Sequence, residues 1–163
     1  MSAVAKVDQG APGELSIMVR LHEIVAAIPA RWITRLVLPS DVTLVAAGAP
    51  DVVASSCVHH AAWDLGALLE EPALSGAWLL MRVPHRGRFV PMALRTGECF
   101  AVAPAPKAVS LPARALRRRE KALGRAFTVA SGDGCGLVLE LAHLWTNLEL
   151  DASERALKEL GKP

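Results

Sequence analysis

Cysteine and histidine are the residues in this chain whose types and spacing could do chemistry, and they gather once, at Cys57, His59 and His60, with Asp64 close behind. Such a group could hold zinc or activate a thiol. In an extended segment Cys57 and His59 share a face while His60 points away. That leaves too few ligands on one side for a zinc site, so the histidine pair reads as facing solvent or a partner. A small Cys/His metal protein or enzyme is the alternative. Cys57, Cys99 and Cys135 each sit in an apolar stretch, where thiols pack and stay inert. Neither a C-x-x-C pair nor a G-x-S-x-G elbow occurs. Ser131-Gly132-Asp133-Gly134-Cys135-Gly136 is glycine-rich but lacks the Lys-Ser/Thr of a phosphate loop; a hairpin turn explains it. Glu70 and Glu71 are adjacent beside Pro72, in a linker where both are solvated. No catalytic, cofactor-binding or metal-ligating residue is assigned, and no small-molecule substrate is expected.

The strongest charge feature is the run Arg114, Arg117, Arg118, Arg119, Lys121 and Arg125. It could bind a polyanion, so a nucleic-acid-associated module using residues 114–125 is a second alternative. The run lacks interleaved aromatics, which argues against a single-strand platform, and its few apolar residues, Leu116 and Leu123, leave most of it facing water. A net charge of +2 adds no general attraction to nucleic acid.

The elements around these residues must be short. A length of 163 residues suits one domain or two small subdomains sharing a core. With no Tyr and few aromatics, that core is mostly Ala, Val and Leu. Residues 1–13 read as a loose leader without the apolar centre of a signal peptide. No apolar run approaches the roughly 20 residues that span a bilayer, and the odd, dispersed cysteines fit a reduced compartment. The expected location is the cytoplasm, with membranes reached only through a partner.

Alternation predicts strands over Glu14 to Leu21 and Ile24 to Ile28. Pro29 then opens a short helix over Ala30 to Leu36. Strands follow over Val42 to Ala46 and, uninterrupted, over Val52 to Ala62. Residues 70–76 form the approximate switch between the two subdomains. Ala77 to Val83 reads as a strand buried on both faces, and Pro91 marks the next strand, Phe89 to Arg95, as an edge or a bulge. Glu98 to Val102 is a further strand. A helix from Leu111 to Gly124 carries the basic run. Asp133-Gly134 turns a hairpin between Phe127 to Ala130 and Cys135 to Leu141. Residues 147–163 supply a C-terminal helix, started at Asp151 with Glu154 in support. Trp32, Trp63, Trp78 and Trp145 are core anchors, and any left exposed would be hot-spot candidates. The fold class is mainly β with short helices, barrel-like.

One pattern occurs twice. Trp63-Asp64-Leu65-Gly66-Ala67-Leu68-Leu69 and Leu139-Glu140-Leu141-Ala142-His143-Leu144-Trp145 each place an acidic residue and a leucine after a strand. Aspartate caps a helix start well and glutamate less well, so the second copy is the degraded one. A repeated unit implies two similar halves.

The order of these pieces resembles the CheW family of bacterial chemotaxis coupling proteins, over residues 14–146. Ala27-Ile28-Pro29-Ala30-Arg31-Trp32-Ile33-Thr34-Arg35-Leu36-Val37 is similar to the family's strand into first helix. Val58 to Leu69 is similar to its Asp-Leu segment, and Gly132 to Trp145 to its closing segment. The resemblance implies two small five-stranded β-barrel subdomains side by side. It also implies a non-catalytic scaffold coupling the cytoplasmic tip of a chemoreceptor to the regulatory domain of a CheA-type histidine kinase. Departures fall at the surface. Ala54-Ser55-Ser56-Cys57 stands where the family has Asn-Leu-Arg-Gly, Arg35 where an acid is common, and Leu94-Arg95 where Val-Asp is usual. Arg35, Ser56, Cys57, His59 and Arg95 are therefore the candidate partner-binding residues. Their changed charges favour a divergent adaptor that binds only one of the usual two partners, or an unusual one.

Overall fold

In a computed structural model the chain is described over residues 14–22, 24–106, 109–110, 125–128 and 135–160. Among these residues twelve strands make two six-stranded sheets. The strands are β1 (Leu15–Leu21), β2 (Ile24–Pro29), β3 (Ile33–Val37), β4 (Thr43–Ala46), β5 (Asp51–Ser55), β6 (Val58–Asp64), β7 (Trp78–His85), β8 (Arg88–Arg95), β9 (Glu98–Pro104), β10 (Val109–Ser110), β11 (Arg125–Thr128) and β12 (Cys135–Val138). Among the described residues two α-helices join them, α1 (Leu65–Leu68) and α2 (Asn147–Leu160). The mainly β class with short helices holds. Each sheet has six strands rather than five, and among the described residues neither ladder closes on itself.

The sheets define two compact units. Unit 1 takes the described parts of Met1–Arg31 and Gly97–Leu144; unit 2 takes those of Trp32–Thr96 and Trp145–Pro163. The chain therefore changes unit after Arg31, after Thr96 and after Leu144, whereas residues 70–76, read from sequence as the switch, lie inside unit 2. Turn-rich composition marks a loop, and here the loop stays within its own unit.

In unit 1 the order is β10-β11-β12-β2-β1-β9, antiparallel except for the β12–β2 pair. Met18, Ala27 and Val138 stand opposite one another on three adjoining strands and, with Ala103, form its buried cluster. In unit 2 the order is β3-β7-β8-β6-β5-β4, with β6 and β8 parallel. Val37, Val53, Leu80 and Ala93 cluster on one face, called the inner face below. Helix α2 packs against β5, β6 and β8.

The two copies of the acidic-leucine pattern fall one in each unit. Asp64 ends β6, and its Oδ1 accepts the Ala67 N–H at 3.0 Å, capping α1. Glu140 follows β12 and makes no side-chain cap, so only a 3-10 turn, Leu141–His143, forms. The shorter aspartate reaches back to the first turn, and the longer glutamate does not.

Several local expectations are corrected. The helix read over Ala30 to Leu36 is one 3-10 turn, Ala30–Trp32, followed by β3; the β-branched Ile33, Thr34 and Val37 favour the pleated state. The single strand over Val52 to Ala62 is a hairpin, β5–β6, turning at Ser56-Cys57. Pro91 lies in the interior strand β8. It is tolerated because the β6 ladder begins one residue later, at Met92, so no partner there needs its missing N–H. Helix α2 starts before Asp151, at Asn147. The hairpin around Asp133-Gly134 is flanked by β11 and β12 paired at Thr128 and Cys135; the turn itself and the helix read over Leu111 to Gly124 lie outside the described residues.

Candidate partner-binding surface

The β5–β6 turn and the β3 edge bring three of the five candidate residues, Arg35, Ser56 and Cys57, into one neighbourhood of unit 2. Ser56 and Cys57 hold left-handed φ values of 51° and 64°. That pair of conformations closes a two-residue hairpin with the right twist. It is costly for residues other than glycine or asparagine, by about 1–2 kcal/mol each. The turn leaves Ser56, Cys57, Val58 and His59 exposed. Arg35 lies on β3 beside a register shift, opposite Leu80. Its Nη1 donates to Ser56 Oγ at 3.4 Å, a long and weak bond. The contact joins one edge strand of the sheet to the turn beside the other edge, so the sheet curls toward closure.

Cross-strand pairing fixes which side chains share this curl. Arg35, Leu80, Ala93 and Ala62 form one row across four strands; Leu44, Val53 and His60 form the next that reaches β4. Both rows lie on the inner face, with Val58 opposite Ser55 at its mouth. Leu44 is 58% exposed and Val58 54%, although both point to the side that holds the core. They line an open seam between β3 and β4.

The other candidates separate. His59 is exposed beside Ala54, whereas His60 is buried on the inner face with its Nδ1 3.2 Å from the Val58 carbonyl oxygen. Burial lowers the His60 pKa from 6.5; the Val58 carbonyl opposes this and the His59 charge adds to it. The ring is thus held neutral near pH 7. Arg95 ends β8, two strands in from the β3 edge. It is half-buried, with its guanidinium carbon 5.3 Å from the Trp78 ring centroid. Its Nε is buried without a hydrogen-bond partner. Among the tryptophans, Trp145 is buried and Trp32, Trp63 and Trp78 are half-buried.

Sequence reasoning missed a polar cluster where the end of β7 meets α2. His85, the last residue of β7, is buried, and its Nε2 lies 2.7 Å from Asp151 Oδ1 and 3.8 Å from Glu154 Oε1 on α2. A carboxylate only accepts, so Nε2 carries the proton. Arg86 Nη2 holds the second Asp151 oxygen at 3.1 Å, and Lys158 lies 4.0 Å from Glu154. The His85 hydrogen bond chiefly holds the Asp151 carboxyl below its usual pKa; burial opposes this, and Arg86, His85 and Arg155 add charge. Cations around both carboxylates make this an ion-pair clasp for α2. Its members are 66 residues apart, so no local motif could announce it.

No family model matches the sequence, and no curated protein matches it in sequence. The scaffolding protein TtCheW from Thermoanaerobacter tengcongensis is similar in structure, with a TM-score of 0.59 over 84% of this chain and 90% of that one. The chain has a CheW-like fold. At 10% identity the likeness extends to backbone architecture, and the surface residues must be argued on their own. No helix among the described residues is long and apolar enough to cross a membrane.

Proposed function

We propose that this protein is a non-catalytic adaptor of chemotaxis-type signalling. It docks the cytoplasmic tip of a chemoreceptor, the regulatory domain of a CheA-type histidine kinase, or one of the two alone, and it needs no cofactor. The observation that carries the reading is the CheW-like fold bearing an exposed group at one sheet mouth, with Arg35, Ser56 and Cys57 around aliphatic Val58 and His59 beside the turn on the opposite face of β6. Arginine is enriched among binding hot spots. The four residues are assigned to the contact. Arg95, stacked on Trp78, is assigned as a separate contact in the same unit.

Calorimetry of the purified chain against the receptor tip and the kinase regulatory domain from the same genome tests this. The expected result is saturable binding to at least one. A folded sample that binds neither removes the adaptor role.

A further inference from the structure

The charge at the sheet mouth is uncompensated. Arg35 is exposed, and among the described residues its one polar contact is the 3.4 Å bond to the neutral Ser56 hydroxyl. Three other exposed arginines among the described residues are answered: Arg31 by Glu14 at 2.6 Å, Arg86 by Asp151 at 3.1 Å, and Arg82 by the face of Phe89 at 4.8 Å. The side chains that share its seam are aliphatic, with Leu44 on the β4 edge and Val58 at the turn. The floor between them is Val53 and Leu80, 5% and 4% exposed. A guanidinium in a fixed plane beside apolar surface is matched by a carboxylate, which accepts two parallel N–H bonds. Apolar surroundings strengthen that pairing by excluding water.

Resting on the adaptor reading, we propose that the seam between β3 and β4 recognises a partner-protein segment that presents a carboxylate between aliphatic side chains. The carboxylate pairs with Arg35 and the aliphatic groups cover Leu44 and Val58. A second copy of this chain fits worse. A two-fold contact centred here would bring Arg35 toward Arg35, and like charges across an interface are disfavoured.

The test is a charge exchange. Affinity for the receptor tip and for the kinase regulatory domain is measured by calorimetry with the unaltered chain, Arg35→Gln, Arg35→Glu and, as a control, Arg82→Glu. Thermal melts confirm folding, and the uncharged Arg35→Gln serves if Arg35→Glu does not fold. We expect Arg35→Gln to weaken one partner about tenfold and Arg35→Glu to weaken it further, while Arg82→Glu changes affinity less than twofold. Aspartate and glutamate residues on that partner are then changed singly to lysine, and one such change restores binding to Arg35→Glu. Binding that ignores Arg35 overturns this inference and leaves the adaptor role standing. Absence of binding to both partners removes the adaptor role and this inference with it. Sedimentation showing a dimer that Arg35→Glu dissociates would put a second copy in the seam and also overturn the proposal.

Discussion

Both carboxylate oxygens of Asp64 are engaged by backbone N–H groups. Oδ1 accepts from Ala67, and Leu74 lies 3.3 Å from Oδ1 and 3.0 Å from Oδ2. One side chain thus caps α1 and ties down the loop that follows it. Asp64→Ala should cost about 2 kcal/mol or more, since a lost cap is worth about 1 kcal/mol and a half-buried N–H without a partner about 1–3. Urea unfolding midpoints measure it, and Asp64→Asn, which keeps one acceptor oxygen, should lose less. Gly66 is constrained by the same loop: a Cβ there would enter the Pro72 carbonyl oxygen, so Gly66→Ala should lower the melting temperature as well. His60 supplies a pH dependence. Its folded pKa lies below 6.5, so as pH falls the unfolded chain takes up the proton first. Its contribution to stability is therefore complete above pH 6.5 and is lost as pH falls through the folded value. His60→Leu should flatten the stability profile in that window; an unchanged slope would show that another group causes it.

At the scale of elements, α2 shows how a helix is fastened from both ends of its sequence. Thr146 and Glu149 exchange bonds, Glu149 N–H to Thr146 Oγ1 at 3.2 Å and Thr146 N–H to Glu149 Oε1 at 3.0 Å, the reciprocal capping box. The expectation that Asp151 begins the helix fails because Thr-x-x-Glu five residues earlier satisfies the first turn better. Asp151 instead faces sideways to His85 and Arg86. Trp63 Nε1 donates to Ser153 Oγ at 3.0 Å, which places the helix against β6. Because the Asp151 pKa is lowered from 3.8, its contribution is present above that value and is lost as pH falls through the folded pKa. Asp151→Asn should therefore destabilise the protein near neutral pH, and the difference from the unaltered chain should vanish in acid; parallel melts across pH check this. Elements built from local signals were legible in the sequence: β1, β2, β7 and the Asp64 cap all follow from alternation, apolar runs and side-chain length. The β5–β6 hairpin was not, because Ser56 and Cys57 adopt left-handed φ without the Asn-Gly or Asp-Gly that normally announces such a turn. The Arg35–Ser56 meeting and the α2 clasp were illegible for a different reason, since sheet curvature and helix docking set them. The residues around Arg35 were legible only as departures from a family pattern.

For the whole molecule, the two units are each assembled from separated stretches of chain. Unit 2 needs residues 32–96 together with the α2 segment, and unit 1 needs the strands before Arg31 together with those after Gly97. Sheet order makes this concrete: β6, encoded before residue 70, hydrogen-bonds in parallel with β8, encoded after it. A parallel partner cannot come from a tight turn, and β5, β6 and β4 without β7 and β8 would leave one side of β6 unpaired. Division at residue 76, where composition alone places the boundary, should therefore yield two fragments that each lack cooperative unfolding. A chain joining residues 32–96 to 145–160 through a flexible linker carries every strand of the second sheet and the helix that packs on it. It should melt in a single transition. Circular dichroism melts of the three proteins decide the matter. If the fragment 1–76 melts cooperatively, then β4–β6 form a folding unit without β8, and the sheet order stops explaining why the chain must leave unit 1 and return to it.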